Sequence, residues 1–222
     1  MKQYKIDFIE LLVRAEALKF GEFTLKSGRI APYFLNAGNF YTGDFISNLG
    51  KAYAEAFLDL EIDVDVIFGP AYKGIPLCVA TTSILFSQFK HNVAYAFNRK
   101  EAKDYGLKDN IIGAPLSGET KVLLIDDVIT AGTAIRETVE LLKNSGNPKI
   151  HGVLISLDRM EKNNDGVSAI SAIENDFGFK VFSVVNLDEV IEVLYNREVN
   201  GKIYIDDEKM QIIKEYRLKY GA

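Results

Sequence analysis

The apolar positions change period along the chain, and each change marks an element. Ile6, Ile9, Leu12, Val13 and Leu18 recur at helical spacing through residues 3–19, which predicts an amphipathic helix. "GEFTLKSGRIAPYFLN" (21–36) then alternates as two short strands around the turn-forming pair Ser27 and Gly28. Beyond residue 42 the pattern predicts helix "GDFISNLGKAYAEAFLDL", strand "VDVIFG", helix "GIPLCVATTSILFSQF", strand "NVAYAFN", strand "KVLLID", helix "AIRETVELLKNSG" and strand "IHGVLISLD". A helix, a strand and a helix follow in "SAIENDFGFKVFSVVNLDEVIEVLYN", and "DDEKMQIIKEYRLKYG" reads as a terminal helix. Only residues 99–119 lack a clear period over a long stretch. Near-continuous apolar strands alternating with helices indicate an α/β fold, a parallel twisted sheet flanked by helices. The first helix and its two strands form a small N-terminal addition to it.

Such sheets bind ligands beyond the carboxyl ends of their strands. Three predicted strands end there in loops with chemical character: "GPAYKG" (69–74), "NRKEAKDYG" (98–106) and "DDVITAGT" (126–133). The expectation is that the three converge on one crevice.

Composition narrows the possibilities. With 222 residues and 48% hydrophobic positions the chain is long enough for one sizeable core. A net charge of -5, from 31 acidic and 26 basic residues, argues against a general nucleic-acid binder, so any polyanion site must be local. One cysteine, Cys78 in an apolar run, rules out an internal disulfide, and with two histidines a zinc site is not expected. The charged N-terminal segment lacks a signal-peptide core and no apolar run reaches membrane-spanning length, which reads as a cytoplasmic protein with no membrane partner.

The densest chemistry lies in "VLLIDDVITAGTA" (122–134). Asp126 and Asp127 fall at the exit of an apolar strand, and Thr130, Ala131, Gly132 and Thr133 fall where the next helix begins. Small residues admit a ligand close to the backbone, and free N–H groups of a helix start together with threonine hydroxyls form a phosphate cradle. Two adjacent carboxylates would repel that phosphate unless they bind a polyol's hydroxyls or a divalent cation carried by the ligand. A sugar phosphate with magnesium meets both demands. For the acidic pair alone, a helix N-terminus capped by Thr130 explains the residues equally well.

The whole stretch resembles the phosphoribosyl-diphosphate (PRPP) motif of type I phosphoribosyltransferases. That resemblance implies ribose hydroxyls held by Asp126 and Asp127, and a 5-phosphate wrapped by Val128, Ile129, Thr130, Ala131, Gly132, Thr133 and Ala134. It implies a diphosphate-binding loop carrying Tyr72 and Lys73, with a cis peptide at Ala71–Tyr72. "RKEAKD" is similar to the mobile catalytic loop of the orotate-specific members, which reaches across a dimer interface, so Arg99, Lys100 and Lys103 join Lys73 as catalytic and PRPP-binding candidates. "FTLKSGRIAPYFLN" and "ISLDRMEK" resemble the same members' blocks. They imply Lys26 on the PRPP side, Phe34 and its neighbour Leu35 against the pyrimidine with Thr130 nearby, and Arg159 on the orotate carboxylate, which a planar guanidinium suits. Leu35 stands where the family usually has a second Phe, and Tyr105, also placed at the PRPP, where it usually has a histidine. The family's fold implies one domain over 1–222, with residues 1–41 and the C-terminal segment as a hood over a core of about 42–160. Mg2+, held mainly by the substrate and near Asp126 and Asp127 rather than by dedicated protein ligands, is the implied cofactor, PRPP and orotate are the substrates, and a homodimer sharing its active-site loop is the assembly. The implied activity is phosphoribosyl transfer to orotate in pyrimidine synthesis; transfer to another base, or PRPP sensing without turnover, are the competing readings.

Overall fold

A computed structural model of the chain describes residues 1–25, 28–100, 110–163 and 166–222. A six-stranded sheet runs in the order β5-β4-β3-β6-β7-β8, with β3 (Val66–Gly69), β4 (Ala94–Asn98), β5 (Ile111–Gly113), β6 (Lys121–Asp126), β7 (Lys149–Asp158) and β8 (Lys180–Asn186). All neighbours are parallel except β5, which closes the edge antiparallel to β4. That edge strand departs from the expected all-parallel sheet. Three residues are too few to show a period, which is why this stretch looked featureless in sequence.

Alternate residues of the inner strands enter opposite cores, as the two-residue repeat of a strand requires. Leu123 and Ile125 face one side with Ile67, Leu154 and Leu157, while Val122 and Leu124 face the other with Val66, Phe68 and Val153. The first side is covered by α1 (Gln3–Arg14), α2 (Gly43–Asp59), α3 (Gly74–Phe89), α6 (Leu187–Leu194) and α7 (Asp207–Tyr220). The second is covered by α4 (Thr133–Lys143) and α5 (Ala169–Phe177).

The first helix is shorter than its pattern. Glu16 takes a positive φ of 50°, the chain turns, and Leu18 starts β1 (Leu18–Thr24) instead of a further helical turn. Its place in the helical spacing is coincidental, because Leu18 is buried through strand geometry. β1 pairs antiparallel with β2 (Ile30–Leu35), the expected hairpin, with Gly28 at a φ of 79° on its connection and Ser27 outside the described residues. The expected core boundary near 160 falls between β7 and β8 of one hydrogen-bonded sheet, so the sheet extends to Asn186. A two-stranded ribbon, β9 (Glu198–Val199) with β10 (Lys202–Ile203), precedes α7 and left no periodic signal.

Candidate active site

Successive connections leave β3 in opposite directions, through α3 to β4 on one side and later to β6 on the other. The loops after β3 and β6 therefore flank the point where strand order reverses, the usual crevice of an open α/β sheet. Side chains tie these loops together. Lys73 Nζ lies 2.6 Å from Asp127 Oδ2, joining the β3 loop to the β6 loop. Asn98 at the end of β4 accepts a hydrogen bond from the Ala71 amide at 2.8 Å, and Lys100 Nζ stands 5.3 Å from the centre of the Tyr72 ring. Arg99 follows on the same loop, its amide donating to the Asn110 carbonyl at 2.8 Å. The β3 and β6 loops meet, and residues 98–100 of the third loop lie beside the first, residues 101–106 being outside the described residues; the Ala71–Tyr72 peptide is cis.

The acidic pair is buried, Asp126 at 8% and Asp127 at 6% exposure. Its backbone is held from beneath: Tyr53 Oη donates to the Asp126 carbonyl at 2.8 Å, and Ser156 donates to the Asp127 carbonyl through Oγ at 2.6 Å and its amide at 2.9 Å. One Asp126 oxygen accepts from the Asp127 amide, and one Asp127 oxygen from the Val128 amide. Burial first, and the adjacent Asp127 charge second, push the Asp126 carboxyl up to about 7, with the Asp127 amide and Lys73 opposing. Among the described residues no cluster of three metal-ligating side chains exists. The acidic pair lies where it could accept ribose hydroxyls or sit beside an ion carried by the substrate.

Val128 packs toward the first core and Ile129 toward the second, so these two pin the loop and leave their backbone, not their side chains, for a ligand. Thr130, Ala131, Thr133 and Ala134 are exposed. The residue preceding α4 is Gly132, at a φ of 75°, and no side chain caps the helix. Thr130 is therefore not the cap that a purely structural reading required, and the first amides of α4 remain available to an anion. Thr130 instead accepts from Arg159 Nη2 at 3.4 Å, which brings the residue expected to meet a base to the edge of the loop expected to hold a phosphate.

The hairpin residues separate. Phe34 is 42% exposed and stacks on Phe23 with ring centres 5.6 Å apart, an accessible aromatic surface. Leu35 packs against the first core. Neighbouring strand residues point to opposite faces, so the structure does not bring Leu35 beside Phe34 as the motif match implied. Lys26, Lys103 and Tyr105 lie outside the described residues.

Several contributors were missed in sequence. Tyr53 sits in the middle of a helix and Ser156 inside an apolar strand, and nothing local distinguishes either. Asn98 opens the basic loop but carries no charge to mark it. Glu161 is buried two residues after Arg159 and accepts from Tyr33 Oη at 2.7 Å, a contact across 128 positions of chain.

Comparison with known proteins agrees with this geometry. The model of the phosphoribosyl transferase domain matches residues 39–185. An orotate phosphoribosyltransferase of Colwellia psychrerythraea is 48% identical over all of both chains, and one of Clostridium beijerinckii is 47% identical with the same coverage. The crystal structure of orotate phosphoribosyltransferase from Francisella tularensis superposes with a TM-score of 0.84 at 42% identity, covering 97% of this chain and 100% of that one. Full-length identity at this level, on a sheet whose switch point joins an acidic pair to an uncapped helix start, establishes that the chain belongs to the orotate phosphoribosyltransferase family.

Proposed function

We propose that the protein transfers the 5-phosphoribosyl group of PRPP to N1 of orotate, releasing diphosphate and forming orotidine 5'-phosphate for pyrimidine synthesis. The observation that carries this reading is the contact of Arg159 with Thr130, which sets a guanidinium suited to a carboxylated base beside the phosphate loop. Uracil or a purine has no carboxylate to require it.

In this reading the α4 amides with Thr130, Ala131, Gly132, Thr133 and Ala134 hold the 5-phosphate, and Asp126 and Asp127 hold the ribose hydroxyls. Tyr72 and Lys73 line the diphosphate. Arg159 orients orotate through its carboxylate while the exposed Phe34 face lies against the ring. The bond from N1 to C1 forms as the C1–oxygen bond to diphosphate breaks, and the N1 proton is acidic enough to leave without a dedicated base. The ribose becomes oxocarbenium-like between the two events, so rate comes from alignment and from cations around the departing charge. Lys73, Arg99, Lys100 and Lys103 supply those cations, with Lys26 and Tyr105 on the same substrate. Bound with PRPP, Mg2+ would neutralise diphosphate charge beside Asp126 and Asp127.

The working unit is a cytoplasmic homodimer whose loop beyond Arg99 closes over the partner's site, and residues 1–41 with the C-terminal segment form the hood. Val79, Phe86 and Phe89 share one exposed face of α3, and Tyr95 is exposed on β4, an apolar surface that a second copy would cover. Incubation with PRPP, Mg2+ and each candidate base tests the reaction. Loss of orotate absorbance alone supports the reading, and binding without consumption refutes it. Lys103→Ala should lower turnover far more than PRPP affinity. Mixed with an Asp126→Ala, Asp127→Ala variant, it should regain part of the activity through hybrid dimers. No recovery despite subunit exchange would refute the shared loop.

A further inference from the structure

A single buried carboxylate links the base-recognition arginine to the hairpin that carries Phe34. Glu161 has a side chain 7% exposed and faces two guanidiniums, Arg159 Nη2 at 3.5 Å and Arg29 Nη1 at 3.9 Å, themselves only 16% and 15% exposed. Its other oxygen accepts the Tyr33 hydroxyl at 2.7 Å. Tyr33 precedes Phe34 on β2, Arg29 lies at the turn end of the same hairpin and stacks over Tyr220, and Arg159 touches Thr130 on its far side. Asp158, the nearest other carboxylate on that loop, accepts from the Met160 amide.

We propose that Glu161 is a positioning residue for orotate recognition: it fixes the Arg159 guanidinium between the phosphate loop and the hairpin, and so registers the base's carboxylate contact with its ring contact. The proposal rests on Arg159 meeting the orotate carboxylate. The contacts to Arg159 are long rather than a closed two-point pair, and buried Arg159 Nε has no hydrogen-bond partner among the described residues, so Glu161 restrains this arginine without saturating its donors. Two guanidiniums share the one Glu161 carboxylate, so it saturates neither of them. Without Glu161, Arg29 and Arg159 would be two poorly solvated cations with nothing between them, and Arg159 would turn away from the base.

The test is steady-state kinetics of the full-length enzyme with both substrates varied. Glu161→Gln keeps shape and removes charge; it should raise the KM for orotate about tenfold or more and change the KM for PRPP less than twofold. Tyr33→Phe, which leaves every charge in place, should move the orotate KM the same way by a smaller factor and serves if the Gln variant does not fold. In an Arg159→Ala background the Glu161→Gln change should add nothing to the orotate KM. If Arg159→Ala itself leaves that KM unaltered, the arginine assignment is what fails. If Arg159→Ala raises it while Glu161→Gln and Tyr33→Phe do not, or lower only the active fraction and Tm, the positioning role is overturned and Glu161 is structural.

Discussion

Gly69→Ala should damage the active site through space alone. Gly69 ends β3 and Gly74 begins α3, with the Lys73 loop between them. A Cβ on Gly69 would sit 2.0 Å from the Gly74 carbonyl oxygen and 2.4 Å from its carbon, about 1 Å inside the 3.0 Å that real Cβ atoms respect. The obstructing atoms are backbone, so no rotamer change relieves the clash; α3 must retreat or the loop must open. Overpacking of this kind costs about 1–3 kcal/mol, worth roughly 2–4 °C in Tm per kcal/mol at this size. The catalytic penalty should be larger, because a displacement of about 1 Å in a positioning loop costs on the order of 100-fold in rate. Lys73 would no longer reach Asp127 in its present geometry. The assay is kcat/KM for PRPP alongside thermal melting, with Gly43→Ala as control, since a Cβ there meets nothing within 4 Å at the start of α2. A Gly69→Ala enzyme within threefold of wild type, melting at the same temperature, would refute the idea that this close approach sets the loop.

The Asp126 carboxyl has a folded pKa raised to about 7 by burial, above its unfolded value, so its stabilising effect is full at low pH and is lost as pH rises through neutrality. Asp126→Asn should therefore gain in Tm relative to wild type between pH 5 and pH 8 in the ligand-free protein, and a gap that does not vary with pH would contradict this. Tyr53→Phe deletes the buried donor to the Asp126 carbonyl and should cost about 1–2 kcal/mol in denaturant unfolding while weakening PRPP binding; stability unchanged would show the hydroxyl to be dispensable. Chelating divalent cations should stop turnover yet leave the Tm of the ligand-free protein unaltered, because the ion is proposed to arrive with PRPP, and a fall in that Tm would point to a resident metal.

Local chemistry made much of this protein legible in its sequence. Apolar runs of strand length ending in Gly69, Asn98 and Asp126 specified an α/β sheet and its ligand edge, since burial on both faces leaves a continuous hydrophobic signature. The thirteen residues from 122 combined an acidic pair with a small-residue helix start, the pattern that pointed to a sugar phosphate. Signals failed where an element was too short to show a period, as in β5 and the β9–β10 ribbon, or where a period arose by chance, as at Leu18. Tertiary structure alone decided which groups meet. It placed Thr130 at Arg159 and not at the cap of α4, packed a partly buried Leu35 against the core while leaving Phe34 exposed, and set Tyr53 and Ser156 under the acidic pair. It also enclosed Glu161 between two arginines. A sequence pattern records which residues are buried and how often they recur, but a hydrogen bond between positions 33 and 161 depends on where packed helices and a hairpin come to rest, and nothing near either residue encodes that distance.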